Sequence, residues 1–281
     1  MPESCTDRRP AKRDGERMDI YVAPVPVEEI LALRELHRTE MNCQIVHDSL
    51  HERGFTHSYS IEVEGETAGY GTVVGFGDEP KETVDEFFLL PEHRTAALHL
   101  FRDFVTASGA TRIQAQTNDS LLALMLYDCA ADIEREKILF ADALTTSLDV
   151  PGASFARVTE GDHGRMFRHR DEGVGAWMVE SAGEIVATGG ILFHYNPPYG
   201  DIYMEVAEPH RRRGFGGYLV QELKRTCYEM DQVPAARCDA SNTASRATLQ
   251  RAGMLPCASI LTGVIKDIET KPIGAFKASS Q

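Results

Sequence analysis

The sequence predicts a tandem α/β protein, in which one strand and helix unit is written twice along 281 residues. Three observations carry this. The chain is longer than the roughly 100 to 150 residues at which single domains are commonest. Its strand and helix signals recur in one order at a spacing of about 120 residues, which favours two copies of a unit over one large domain. Between the copies stands Asp149-Val150-Pro151-Gly152, with the Pro-Gly punctuation of a turn. The chain divides on these signals into a disordered head at 1–17, a first domain at 18–150 and a second at 151–281.

The head mixes charged residues with Pro and almost nothing apolar, too little to offset the entropy of ordering. Ile20, Val22 and Val25 then alternate as in a strand, and Ile30, Leu33 and Leu36 mark one face of a helix over 27–39. Residues 58–63 and 67–76 read as strands of a hairpin around Glu64-Gly65-Glu66. A buried strand at 87–90, a helix at 95–108, a strand at 112–116, a helix at 119–129 and a strand at 138–144 complete the first half.

The second half repeats this grammar. A strand at 155–158 precedes a hairpin of 177–180 and 185–193 around Ser181-Ala182-Gly183-Glu184, then a strand at 202–206. A glycine turn opens a helix over 216–230, followed by a strand at 236–240 and a helix at 244–251. Locally, Glu86 to Pro91 echoes Tyr203 to Pro209, and Thr117-Asn118 echoes Ser241-Asn242.

Composition narrows the function. No apolar run approaches the roughly 20 residues of a membrane-spanning helix, and the N-terminus lacks the apolar stretch of a secretory signal, so a cytoplasmic protein without a membrane partner is expected. The six cysteines are scattered without a CxxC pair and read as reduced thiols. A net charge of -14 argues against nucleic acid and is compatible with a cationic substrate. His47 and His51 have helical metal spacing but no third ligand in view, so no metal is expected.

Arg211-Arg212-Arg213-Gly214-Phe215-Gly216-Gly217 lies between a strand and a helix. Glycines let the backbone approach an anion at a helix N-terminus, where amide N–H groups and the positive dipole end converge. Three adjacent arginines in so acidic a chain strengthen the case for a phosphate or pyrophosphate.

Arg211, Gly214 and Gly216, followed by Asn242 and then Gly253-Met254, resemble the two motifs of the GCN5-related N-acetyltransferase (GNAT) superfamily. The resemblance spans residues 155–264. It implies a GNAT-type N-acetyltransferase with two tandem GNAT-like domains, each a mixed, mostly antiparallel twisted sheet flanked by helices. It further implies acetyl-CoA as acyl donor, with Met204, Glu205 and Val206 offering backbone groups to the pantetheine arm. Residues 212–217 would wrap the pyrophosphate, and Asn242 and Ser245 would lie near the pantetheine. The family strand often carries a bulge that frees an N–H for the thioester carbonyl.

Acyl transfer to an amine needs a base and benefits from an acid for the departing thiolate. Among Asp201, Glu205 and Glu208, the base expected here is Glu205. The family's usual acid, a tyrosine seven residues after the asparagine, is replaced by Leu249. Tyr203 is the first substitute, ahead of Tyr195, Tyr199 and water. The acceptor is expected to be a primary amine of a small molecule or peptide, chosen by loops at 194–200 and 161–172. Glu92-His93-Arg94-Thr95-Ala96-Ala97, the first half's equivalent turn, has no glycine, so that half is expected to be a degenerate, non-catalytic copy. Two other functions stay open: a non-catalytic acyl-CoA-binding sensor or scaffold, and an acyl-CoA decarboxylase or S-acyltransferase. Oligomeric state is open too, a homodimer included.

Overall fold

Alternating apolar residues joined by tight turns start each half as an antiparallel meander. In the computed structural model, which describes residues 18–266 except 42, 43, 46, 47 and 78, the first half contains β1 (Ile20–Val25), β2 (Thr56–Val63), β3 (Glu66–Val74) and β4 (Thr83–Leu89). Helices α1 (Val27–Glu40) and α2 (Asp48–Glu52) lie between β1 and β2. A 3-10 turn at Pro91–Ala96 leads into α3 (Ala97–Ser108), β5 (Arg112–Gln116), α4 (Ser120–Cys129) and β6 (Ala130–Asp142). The second half runs β7 (Ala153–Arg157), β8 (Trp177–Ser181), β9 (Glu184–Leu192), β10 (Tyr199–Val206), α5 (Phe215–Glu229), β11 (Val233–Asp239), α6 (Thr243–Arg251) and β12 (Met254–Ile265). The disordered head expected at 1–17 lies outside the described residues.

The expected repetition reaches individual bonds. Both hairpins turn on two successive left-handed residues, Glu64 and Gly65 in one and Ala182 and Gly183 in the other. Leu90 N–H donates to Ala68 O and Ala207 N–H to Val186 O, each at 2.9 Å. Arg94 Nε donates to Leu89 O at 2.9 Å, as Arg211 Nε does to Val206 O at 3.1 Å. The echo of Thr117-Asn118 with Ser241-Asn242 is off by one residue. The matching helix caps are Asp119, which accepts from Leu122 N–H, and Asn242, which accepts from Ser245 N–H.

Among the described residues, twelve strands join one sheet in the order β1-β2-β3-β4-β5-β12-β6-β11-β10-β9-β8-β7. Pairing is antiparallel except at β4–β5 and β10–β11. Each half therefore ends on the other's last strand: β12 completes the first series beside β5, and β6 completes the second beside β11. The cores follow the strands. Leu261 packs with Phe87, Phe101 and Phe104 of the first half, while Ile138 and Phe140 pack with Leu219 and Leu223 of the second.

Two strands departed furthest from expectation. β12 carried no expected strand, because Pro256 interrupts its pattern; the structure accommodates it with a register shift between Pro256 and Ala258. β6 starts eight residues before the expected 138, since its alternation begins in the charged run 131–137, where apolar residues are few.

Leu261→Ala tests the exchange. The change should cost about 2 to 5 kcal/mol as a core truncation, and amide exchange should accelerate in β4 and α3 before it does in α5.

Candidate functional site

β10 and β11 begin as a parallel pair and then part. Pairing covers Tyr199 with Val233, Gly200 with Pro234 and Asp201 with Ala235, after which each strand bonds only to its outer neighbour. Beyond Asp201 the two strands splay into an open wedge. The expected bulge is not there: β10 stays in unbroken register with β9 from Asp201 to Val206. An exposed N–H arises in another way. Because Ala207 N–H bonds to β9, the antiparallel alternation turns the backbone groups of Met204 and Val206 into the wedge and those of Glu205 toward β9. Val206 O is then capped by Arg211.

The side chains alternate the other way. Met204 and Val206 lie on the α5 side, and Asp201, Tyr203 and Glu205 share the opposite face.

The glycine turn sits at the end of this wedge. Arg212 (φ 62) and Gly214 (φ 93) are left-handed, and Gly214 occupies the N-cap of α5, whose first-turn N–H groups have no intrahelical acceptor. A Cβ on Gly216 would lie 3.0 Å from Thr248 Cγ2, 3.3 Å from Val206 Cγ2 and 3.4 Å from Met204 Cε, so glycine here lets α5 close against β10 and α6. Arg211, Arg212 and Arg213 are exposed; Arg213 bonds His210 Nδ1 at 3.0 Å and lies over the buried Phe215 ring. Gly217 packs toward Leu148 and Arg251. These residues fit a diphosphate in backbone freedom, dipole and charge. Asn242 caps α6 across the wedge through Ser245 N–H at 3.0 Å.

Glu205 is buried and its carboxylate is already engaged. Both oxygens accept from Arg170 N–H at 3.0 Å, and Oε2 also accepts from Asp171 and Glu172 N–H at 3.1 Å. Arg211 stands 3.8 Å away. Burial alone would raise its pKa, but the three backbone donors, helped by His169, hold it below the ordinary carboxylate value. His169 in turn bonds Thr188 Oγ1 at 2.6 Å and stacks on Phe167, so loop 166–176 is tied across the face of β9 and β10.

Tyr203 occupies space that Gly190 leaves: a Cβ there would meet its hydroxyl at 2.7 Å. Desolvation, and then the Glu172 carboxylate, push the Tyr203 hydroxyl up. Asp201, also buried, pairs with His194 at 3.1 Å and stands 3.8 Å from Arg237 of β11. Tyr195 is packed beside it under the Arg237 guanidinium, and Tyr199 starts β10 at the closed end of the wedge. Leu249 is buried in the second core, which explains why no acid stands there. Glu172 and Arg237 were missed: neither belongs to a motif, and only the loop containing Glu172 had been marked for acceptor choice.

The first half has a matching wedge, because β4 and β5 pair only at Thr83 with Arg112 and Val84 with Ile113. It is filled. Gln116 exchanges hydrogen bonds with both backbone groups of Ile45, leaving a cavity of ≈ 10 Å³. The guanidinium of Arg94 forks onto Glu40 instead of facing a turn.

Comparison with known proteins agrees with this geometry. A model described as "Acetyltransferase (GNAT) family" matches residues 144–254. The fold is similar to that of a GNAT-family acetyltransferase from Colwellia psychrerythraea, at 15% identity over 88% of this chain and 100% of that one, with a TM-score of 0.68. A tandem GNAT protein from the clavulanic acid biosynthesis pathway is similar at 12% identity, with 88% and 98% covered and a TM-score of 0.52. A GCN5-related N-acetyltransferase from Sphaerobacter thermophilus is similar at 17% identity, with 88% and 96% covered and a TM-score of 0.51. The search of curated proteins found no match.

The Glu205 clamp predicts an acid-sensitive loop. Because its folded pKa is depressed, its stabilising contribution is full above the ordinary value of 4.5 and is lost as pH falls through the folded value. Amide exchange at 170–172, corrected for intrinsic rate, should rise in wild type only once pH falls below the ordinary carboxylate value, and in Glu205→Gln it should already be raised at pH 7.

Proposed function

With residues 144–254 forming a domain of the GNAT acetyltransferase family, we propose that the protein transfers an acetyl group from acetyl-CoA to a primary amine of a small molecule. The observation that carries this is the wedge between β10 and β11 with the Gly214 to Gly217 helix start at its end. Backbone groups of Met204 and Val206 receive the pantetheine arm, and Arg211 to Gly217 receive the diphosphate. Asn242 and Ser245 border the arm from α6.

The acceptor approaches the face that carries Asp201, Tyr203 and Glu205. Asp201 and Glu205 there are paired with His194, Arg237 and Arg211, so the preference for a cationic acceptor rests on the chain's net charge of -14. The amine attacks the thioester carbon within a ternary complex, the new N–C bond forms, and the C–S bond breaks. Tyr203 supplies a proton to the leaving thiolate, in place of the tyrosine that Leu249 replaces. The first half is a degenerate copy whose own wedge is filled by Ile45. It contributes to the site by ordering loop 194–199, since Asn196 N–H donates to Gln44 O at 2.8 Å.

Leu249 in the core specifically favours one rival, a domain that binds acyl-CoA without turnover. Titration calorimetry of acetyl-CoA into wild type and into Gly214→Asp plus Gly216→Asp, with thiol release over a primary-amine panel, separates the two. One site lost in the double variant and amine-dependent thiol release support the transferase. Binding without release from any amine or carrier-protein thiol supports the binder. Wild-type protein that binds no coenzyme rejects both.

A further inference from the structure

Resting on that acyl-transfer reading, we propose that Glu172 is the general base for the acceptor amine and that Glu205, the carboxylate favoured by sequence, is the residue that positions it. The two are joined directly, because the Glu172 N–H is one of the donors held by Glu205 Oε2. Three consecutive backbone N–H groups, from Arg170 to Glu172, converge on one carboxylate as an anion nest. Protonating Glu205 would break that nest and release the loop at each turnover. A base has to accept a proton repeatedly without dismantling its own site, so Glu205 is poorly suited to the task.

The loop that Glu205 holds carries Glu172 alongside β10, with its N–H 3.1 Å from Glu205 Oε2. The Glu172 carboxylate lies in the field of Asp201 and Glu205 from β10 and of Arg237 from β11, the two strands that part. It also acts on the Tyr203 hydroxyl. Held by Glu205, it belongs to the same β10 face as Asp201 and Tyr203, opposite α5, which the proposed acceptor approaches. Asp201 is less suitable, being buried and paired with His194. Glu208 is tied to Arg170 at 2.6 Å. Glu172 remains exposed, and no hydrogen bond or salt bridge from a described residue reaches its carboxylate. Desolvation against the loop and strand, then Asp201 and Glu205, raise its pKa against the opposing pull of Arg237. That direction makes it a stronger proton acceptor at neutral pH.

The proton balance closes. The acceptor ammonium gives one proton to Glu172 and its lone pair forms the N–C bond. Collapse expels the coenzyme thiolate, which takes a proton from Tyr203. The nitrogen loses its second proton to restore Tyr203 through solvent, and Glu172 returns its own to bulk water. Amide, free coenzyme thiol and one solvent proton are the products.

The test is the pH dependence of kcat/KM for the full chain, its Glu172→Gln variant and its Glu205→Gln variant. It uses acetyl-CoA with the best acceptor from the primary-amine panel, and acetyl-CoA Kd is measured on each protein. Glu172→Gln should lower kcat/KM by about a hundredfold or more and erase the acidic limb, with Kd unchanged. Glu205→Gln should retain the acidic limb and raise acceptor KM more than it lowers kcat, because the loop loosens while the base survives. An acidic limb lost in Glu205→Gln but kept in Glu172→Gln would reverse the assignment, and a limb kept by both would hand the proton to water; either overturns the proposal while leaving acyl transfer intact. Coenzyme binding without amine turnover in wild type would instead remove the transferase reading, and the base with it.

Discussion

The antiparallel pairing of β6 with β12 is the constraint on which both halves depend. Each strand is the last of its own half, and each is paired with the other along its length before it reaches the opposite series. Neither core is complete without residues encoded in the partner half, as Leu261 and Phe140 show. A register slip in this central pair would move alternate side chains to the wrong face in both cores at once. The wedge inherits that dependence, since β11 can leave β10 only because β6 satisfies its other edge from Ala235 to Asp239. A strand that parts from a neighbour still needs its backbone groups paired somewhere.

The two wedges show what a small chemical difference does on one scaffold. In the second half, Gly216 lets helix, strand and α6 approach so closely that a Cβ would lie 3.0 Å from Thr248 Cγ2, and the arginines next to it remain exposed. In the first half, the corresponding helix start is Ala96-Ala97 and the turn arginine is spent on Glu40. A wedge without a ligand still has to be filled, because an empty polar cavity leaves donors unsatisfied. Ile45 and Gln116 supply the filling from within the chain.

How far this was legible in the sequence depended on whether the signal was local. Glycine turns and hairpins are short-range devices, so the turn at Arg211 to Gly217 and both hairpins stood where the residues placed them. The strand exchange was not legible, because 254–265 was not read as a strand at all, and even a strand's alternation fixes which face it buries but not which neighbour it joins. Glu205 was visible as a carboxylate in the right strand. Its engagement by Arg170 to Glu172 was not, since that contact spans more than thirty positions of chain and uses backbone groups that carry no residue identity.

The filled wedge also carries a cost that clarifies its role. Arg34 forks onto Glu86 at 3.0 and 2.9 Å, with both side chains buried, and His51 lies 3.8 Å from the same carboxylate. Burial works against the charge on Glu86, yet His51 and Arg34 hold its pKa well below the ordinary carboxylate range. Beside them, His37 bridges Tyr70 at 2.8 Å and Asp119 at 3.2 Å. Such buried ionic sets add little stability over an apolar filling, because desolvation cancels most of the attraction. Their geometry is nonetheless demanding, and removing one partner leaves an unpaired charge behind. The set therefore fixes α1, β4 and the cap of α4 in one arrangement more than it strengthens the fold. That rigidity reaches the second half through Gln44, whose side chain bonds Phe140 O on β6 while its carbonyl accepts from Asn196 in loop 194–199. The first half thus still helps determine where loop 194–199 of the second half stands.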